Sequence, residues 1–218
     1  MSIVVMNAHY GESTFAEQCK NSVKAYAELH GYGFYHEPAS AFPGDPSKPH
    51  HFHFWRSYVI QNAARAFPDA RWFLWLDSDI YVNVRTKHIK LEDLIELDPF
   101  MLYYTTHERP WGIDCINTGF KLVNRDALGY EAEIWASRDM HPFNTFTFEQ
   151  FTLWRKIFPR IISRFTILGN KQLNCIIKAY RDKPDILANG LFMHMCNMSL
   201  SERNAWCAEA VKKGEVFL

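Results

Sequence analysis

The segment Trp72-Phe-Leu-Trp-Leu-Asp-Ser-Asp79 places the tightest constraint on how this 218-residue chain folds. Its apolar residues follow one another without the polar alternation of a half-exposed strand. Such a run is typical of a strand covered on both faces, at the centre of a mainly parallel sheet. Asp77 and Asp79 come directly after it, and open α/β sheets bind ligands beyond the carboxyl ends of their strands. The sequence therefore predicts a ligand site here.

The chain before this strand has a β-α-β pattern. Residues 3–6 form an apolar strand, and a helix with apolar residues at helical spacing runs from the N-cap Ser13 to Gly31. A strand at 33–36 and a helix at about 52–67 follow. Strands that alternate with helices favour parallel pairing. We expect an α/β fold with a mixed, mostly parallel central sheet flanked by helices.

Shorter patterns predict the later elements. Strands are expected at 101–105, 118–123 and 191–195, and helices at 125–138, 148–158 and 169–181. Composition does not shift along the chain, so a single domain over 1–218 is expected.

Charge balance, hydropathy and cysteine spacing together argue against several classes of function. Lys and Arg total 24, as do Asp and Glu, so no basic excess suits a general nucleic-acid surface. No apolar run is long enough to span a membrane, and the N-terminus lacks the pattern of a signal peptide. The five Cys include no CxxC spacing, which favours a reducing compartment. The prediction is a cytoplasmic protein without nucleic-acid partners.

The carboxylates of Asp77 and Asp79 need a countercharge if they are buried together. A divalent cation supplies it and can bridge the oxygens of a diphosphate. The alternative is a polar turn with two solvated side chains, since Asp-x-Asp is a common tripeptide.

The segment from Trp72 to Val82 resembles the DxD segment of GT-A nucleotide-sugar glycosyltransferases, and is most similar to the plant and fungal galactosyl/xylosyl/mannosyl transferase group. Weaker matches occur in the same order: Phe54-Trp55-Arg56, Asn117-Thr118-Gly119-Phe120 and Phe192-Met193-His194. The resemblance implies a GT-A fold, with a nucleotide-binding half at about 1–105 and an acceptor-side half at about 106–218. The group's N-terminal membrane helix is missing here, so the chain is expected to be a bacterial enzyme or a domain of a longer protein. Its size is also similar to that of glycosyltransferases from large algal viruses, which implies a virus-encoded protein in the host cytoplasm.

The resemblance also implies roles for individual residues. Asp77, Asp79 and His194 would bind Mn²⁺ or Mg²⁺, and the donor ribose would lie near Asp77 and Ser78. The first βα turn would hold the base of a UDP-sugar, with Tyr10 stacked on uracil and the backbone at Asn7 and Ala8 reading its edge. Asn117 would lie near the donor. For His194 the alternative is an ordinary core histidine.

Three charged side chains are candidates for the reaction itself. Arg56 has a forked cation that matches diphosphate oxygens, or it is a solvated helix charge. Asp114 and Glu149 are rival general bases for an inverting enzyme, and the sequence does not choose between them. The implied reaction is transfer of a hexose of glucose, galactose or rhamnose type to a glycan or glycoprotein hydroxyl.

Two other functions fit parts of the pattern. A phosphatase or phosphotransferase also follows a strand with Asp-x-Asp, but its second acidic motif is not found. A non-catalytic sugar-binding protein would use tryptophans such as Trp111, Trp154 and Trp206, although core packing is the simpler prediction for these. A metal site at His50, His51 and His53 lacks partner ligands at suitable spacing.

Overall fold

The strand that follows Arg71 lies in the middle of a six-stranded sheet in the computed structural model of the protein. The structure describes residues 2–11, 13–107, 116–140 and 148–218, without the side chain of Phe148. In spatial order the strands are β2 (Gly33–Glu37), β1 (Ile3–Ala8), β3 (Trp72–Leu76), β6 (Ile116–Asn124), β5 (Tyr103–His107) and β7 (Phe165–Leu168). Strand β6 is antiparallel to β3 and β5, and the other neighbouring pairs are parallel. The predicted mixed, mostly parallel sheet is confirmed.

Helices lie on both faces of this sheet. Their bounds in the described residues are α1 (Thr14–His30), α2 (His50–Ala66), α3 (Leu91–Leu94), α4 (Leu128–Ala136), α5 (Phe148–Thr152), α6 (Asn170–Leu173), α7 (Pro184–Asn189) and α8 (Leu200–Lys212). A π-helical turn, Leu153–Ile157, extends α5.

Strand β3 is the centre of the core because every one of its side chains is buried. Successive residues point to opposite faces of the sheet. Phe73 and Trp75 pack in the cluster that contains the apolar side of α2. Trp72 and Leu74 pack in the cluster that contains the apolar side of α1. The uninterrupted apolar run is thus the consequence of two helical layers.

Helix α1 begins and ends where its sequence signals predict. The Ser13 side chain accepts a hydrogen bond from the backbone N–H of Ala16. Gly31 ends the helix with φ 70°, a left-handed conformation that glycine adopts without steric cost. These ends set the length of the crossover between β1 and β2.

A second, three-stranded sheet joins the two halves of the chain. Its order is β4 (Ile80–Val82), β9 (Phe192–His194) and β8 (Cys175–Ile176). Ile80 pairs with His194 in an antiparallel register, and the Met195 N–H donates to the Asp79 carbonyl at 3.0 Å. This pairing brings together residues more than a hundred positions apart in sequence.

The predicted helix at 169–181 is wrong. Helix α6 ends at Leu173, and strand β8 follows at Cys175. Asn174 between them has φ −153° and ψ 60°, and its side chain is hydrogen-bonded in the interior. Tertiary hydrogen bonds override the local helical pattern here.

Several other boundaries differ from the predictions. Helix α2 begins at His50 rather than at about residue 52, and the strands β4 and β7 and the helix α8 were not predicted. These strands are short, and α8 has a weakly amphipathic sequence, so periodicity alone does not mark them.

Among the described residues, no helix is both long enough and apolar enough to cross a lipid bilayer.

Replacing Leu74 by alanine should destabilise the protein by about 2–5 kcal/mol, because the residue is fully buried in the central strand. Leu29 lies in α1 with 52% of its surface exposed, so Leu29→Ala is the matched control, with an expected change within about 0.5 kcal/mol. Urea denaturation of both variants measures the difference. Equal losses would contradict the buried position of β3.

Candidate active site

The metal-binding residues predicted from sequence meet at the carboxyl end of β3. One ligand atom from each of Asp77, Asp79 and His194 lies within 4.8 Å of the others. His194 Nε2 is 3.1 Å from Asp79 Oδ1 and 3.9 Å from Asp77 Oδ2. Asp79 and His194 are buried, and Asp77 is partly exposed. The set can hold a divalent cation between two elements of the fold.

A chain of amide side chains orients the imidazole of His194. Its Nδ1 lies 2.8 Å from Asn174 Oδ1, which fixes Nδ1 as the donor and turns Nε2 toward the carboxylates. The Asn174 amide nitrogen donates to Thr106 Oγ1 at 2.8 Å and to Asn117 Oδ1 at 2.9 Å. Outer-shell partners of this kind hold a ligating histidine in one tautomer and orientation.

Gly119 leaves the space that the His194 ring occupies. A Cβ at this position would lie 2.5 Å from His194 Cε1 and 2.8 Å from Asn117 Oδ1. Real Cβ atoms do not approach so closely, so a larger residue would push the ring or the amide away. This contact explains the glycine of the Asn117-Thr118-Gly119 segment in physical terms.

The site lowers the pKa of Asp79 and raises that of His194. Burial opposes ionisation of Asp79, but His194 and Arg203 outweigh it and hold the pKa of its carboxyl at about 2. Burial also opposes protonation of His194, and the charge of Asp79 outweighs it and raises the pKa of the imidazole. A cation would replace that proton, as metal ligands must be deprotonated. Carboxylates with one imidazole suit Mn²⁺ or Mg²⁺.

Two arginines flank the carboxylates. Arg56 Nη1 lies 3.3 Å from Asp77 Oδ1, and the Trp75 indole N–H donates to the same oxygen at 2.7 Å. Arg203 Nη2 lies 3.1 Å from Asp79 Oδ2. Arg56 was a sequence candidate. Arg203 was missed because α8 was not predicted, and the signal available was a cation shortly after the segment that contains His194.

Glu149 belongs to a buried charge network behind Arg56. Its Oε1 accepts from Lys121 Nζ at 2.6 Å, and its Oε2 accepts from Thr118 Oγ1 at 3.0 Å. Lys121 also donates to Glu131 at 2.9 Å, and Arg56 Nε lies 3.6 Å from Glu149 Oε2. Burial raises the pKa of Glu149, but Lys121 and Arg56 outweigh it, and the pKa is lowered. Glu149 is therefore held as a fixed anion.

Two adjoining clefts open beside the carboxylates, with volumes of about 330 and 300 Å³. Both are lined by Asp77 and Asp79 and by the cations of Arg56 and Arg203. The first extends over the turn after β1, to Ala8, His9, Tyr10 and Ser78. The second extends over Asn117, Thr118, Glu149 and His194. The geometry thus divides the site into two compartments that share one charged wall.

Of the residues predicted for the first βα turn, Ala8 and Tyr10 line the first cleft, but Asn7 and Ala8 belong to the end of β1. The Tyr10 ring is 46% exposed and lies 4.2 Å from the Phe52 ring. Ser78 Oγ is 3.1 Å from Nδ1 of His9, a residue that no sequence motif marks as part of the site. The Asn7 side chain lies 2.8 Å from His36 Nδ1, within the pairing of β1 with β2, and the predicted role of its backbone stays a prediction.

Other candidates lie away from the carboxylates. His51 Nε2 is 3.1 Å from Asp139, and within the described ranges Asp77, Asp79 and His194 form the one group suited to a metal. Trp154 stacks on Phe158, and the Trp206 indole donates to the Tyr81 hydroxyl at 3.2 Å. Asp114 and Trp111 lie outside the described residues.

A larger cleft, about 900 Å³, lies beside α6 and α7. Its lining includes Asn170, Tyr180 and Asp185 but none of the three candidate metal ligands. Volume therefore does not identify the reactive site, which is defined by its charged groups.

Residues 2–148 match the model of the galactosyl transferase GMA12/MNN10 family. The chain belongs to this family and is a glycosyltransferase, which confirms the resemblance inferred from the DxD segment. The match includes Asp77 and Asp79 and ends before Glu149 and His194, so the latter two rest on geometry. Membership favours the transferase hypothesis over the phosphatase and sugar-binding alternatives.

The structure is also similar to two solved glycosyltransferases. The crystal structure of a glycosyltransferase involved in the glycosylation of the major capsid of PBCV-1 is 42% identical, with a TM-score of 0.87 over 96% of this chain and 100% of that chain. The glycosyltransferase GlyE of Streptococcus pneumoniae TIGR4 is 14% identical, with a TM-score of 0.54 over 100% of this chain and 65% of that chain, and this likeness shows the fold alone. The comparison with curated proteins gives no match.

If Asp77, Asp79 and His194 hold a divalent cation, replacing Gly119 by alanine should weaken Mn²⁺ binding about 10–100-fold, the range expected when the support of a ligating histidine is disturbed. Gly129 has no atom within 4 Å of an added Cβ, so Gly129→Ala is the matched control and should bind as the wild type does. Titration calorimetry with Mn²⁺ measures the affinity of each variant. Unchanged binding in the Gly119 variant would contradict the packing of His194.

Replacing Lys121 by methionine should destabilise the protein by about 3–5 kcal/mol at pH 7, because Glu131 and Glu149 lose their buried counter-cation. Lys24→Met, which removes an exposed ion pair with Glu28, is the control. In the wild type, ionised Glu149 stabilises the fold above its unfolded pKa, and this stability is lost as the pH falls through its lowered folded pKa. In the variant, Glu149 lacks the charge of Lys121 and protonates more easily. The difference in unfolding free energy between wild type and variant should therefore shrink as the pH falls towards 4.5, the ordinary pKa of a glutamate. Denaturation at several pH values measures it, and a constant loss would contradict this assignment.

Proposed function

We propose that the protein transfers a hexose from a UDP-sugar to a hydroxyl group of a glycan or glycoprotein, with Mn²⁺ or Mg²⁺ held by Asp77, Asp79 and His194. The observation that carries the proposal is the convergence of these three side chains beside two clefts in a chain of a glycosyltransferase family. The cation would neutralise the leaving diphosphate as negative charge develops on it.

The first cleft suits the nucleoside half of the donor. The exposed ring of Tyr10 supplies a stacking face for uracil, and Ser78 lies where the ribose would follow. Asp77 lies between this cleft and the second one, so the diphosphate would lie at the shared charged wall. Asn117 lines the second cleft, where the sugar would enter.

Arg56 is the preorganised cation for the leaving group. It donates to the Thr118 carbonyl at 2.9 Å and to Thr118 Oγ1 at 2.7 Å, and 12% of its side chain is exposed. A cation held in place before the reaction stabilises developing charge without a cost of reorganisation. Glu149 acts in this proposal as the anion that holds Arg56.

The contacts of Glu149 make it a weak proton acceptor, because Lys121, Thr118 and Arg56 engage both oxygens. This supports Asp114 as the general base in an inverting reaction. For the acceptor, the relative that takes part in glycosylation of the PBCV-1 major capsid supports a glycoprotein. A viral source and action in the host cytoplasm stay predictions on the same ground.

Replacing Asp79 by asparagine should abolish metal-dependent UDP binding, with a loss of at least about a hundredfold, since removing a ligand costs more than disturbing its support. Asp126→Asn is the control, because Asp126 pairs with Arg71 on the surface. Calorimetric titration of UDP with and without Mn²⁺ tests binding, and release of UDP from UDP-glucose, UDP-galactose and UDP-rhamnose tests turnover. Full binding by the Asp79 variant would refute the proposed metal site.

A further inference from the structure

We propose that Arg203 is an exchangeable counter-cation. It pairs with Asp79 before a metal ion binds, and it moves to the donor diphosphate when metal and nucleotide bind. The inference rests on the proposed function, because it takes a divalent cation and a diphosphate as the ligands of this site. It adds a reason why the two ligands should bind together.

Both carboxylate oxygens of Asp79 are engaged in the structure. Oδ1 faces His194 Nε2 at 3.1 Å, and Oδ2 faces Arg203 Nη2 at 3.1 Å. A cation that binds Asp79 places positive charge beside the guanidinium. Two positive groups this close repel each other strongly where water is partly excluded. Metal binding and the Arg203 contact therefore compete.

The charges of the site explain why a diphosphate resolves this competition. The Asp and Arg side chains that line both clefts carry no net charge together, because the carboxylates of Asp77 and Asp79 pair with the guanidiniums of Arg56 and Arg203. A bound divalent cation alone would add two positive charges to these four side chains. The diphosphate of a nucleotide brings negative charge of similar size. Affinity for the metal should thus rise when the nucleotide is present, and the reverse must hold by linkage.

Arg203 is held by fewer contacts than Arg56 and is more exposed. Arg56 is fixed by Thr118, by the His53 carbonyl and by Glu149. Besides Asp79, Arg203 has two contacts among the described residues: its Nε donates to the Met195 carbonyl at 3.2 Å, and its guanidinium carbon lies 5.8 Å from the centre of the Phe15 ring. Its side chain is 30% exposed. It lines both clefts, so a rotation about its side-chain bonds would keep it at the charged wall.

Helix α8 keeps the backbone of Arg203 in place during such an exchange. The helix begins with a reciprocal cap in which Ser199 accepts from the Glu202 N–H and Glu202 accepts from the Ser199 N–H. Cys207, one turn after Arg203, is buried against the core. The exchange therefore requires motion of one side chain and not of an element of the fold.

The test is calorimetric titration of Mn²⁺ into nucleotide-free protein, and of UDP into protein with saturating Mn²⁺. Arg203→Met should bind Mn²⁺ alone about tenfold more tightly than the wild type and UDP about tenfold more weakly, as expected for one charge-assisted hydrogen bond. A residue with a purely structural role would not strengthen metal binding. Arg203→Lys, which keeps the charge, should restore part of the UDP affinity.

Arg160→Met is the matched control, since Arg160 pairs with Glu133 at 2.7 Å on the surface and should bind both ligands as the wild type does. If Arg203→Met binds Mn²⁺ alone no more tightly than the wild type, the inference is overturned while the proposed function stands. If the wild type fails to bind UDP in the presence of Mn²⁺, the proposed function itself fails. Circular dichroism of each variant confirms that it is folded.

Discussion

The burial of Asp79 at the end of the central strand is the constraint on which the active site depends. Asp79 is 6% exposed, and a carboxylate in such a place must be paired with positive charge or with hydrogen-bond donors. The partners come from distant parts of the chain: His194 from β9 and Arg203 from α8. Asp77 beside it is paired with Arg56 from α2. The two carboxylates are thus the place where residues of α2, α8 and the smaller sheet contact the end of the central strand.

Amide side chains connect the candidate metal ligands to the interior of the protein by hydrogen bonds. Asn174 links the imidazole of His194 to Thr106 on β5 and to Asn117 on β6. These buried bonds are satisfied at both ends, so they specify one arrangement of the ring. They also explain why the chain leaves helical geometry at Asn174 and pairs Cys175 with Met193.

Arg56 and Arg203 have different surroundings, and this difference suits them to different roles. The anion of Glu149 lies behind Arg56 and is itself held by the fully buried Lys121. Such a relay of alternating charges is stable only when every member is paired. Arg203 lines both clefts, and Asp79, the Met195 carbonyl and the Phe15 ring are its contacts. The site therefore combines one rigid cation with one that can exchange partners.

The central strand, the alternation of strands and helices and the two aspartates were predictable from the sequence, because burial on both faces and the ends of α1 leave local patterns. The family resemblance added His194. The register of β4 with β9, the place of Arg203 and the break at Asn174 were not predictable, because each depends on contacts between residues far apart in the chain. The bonds of Glu149 to Lys121 and Thr118 likewise exist only after β6 and α5 have packed. Sequence by itself determined which chemical groups are present and which strand end holds them. Tertiary structure decided which charges face one another, because electrostatic pairing depends on distance in space and on the exclusion of water.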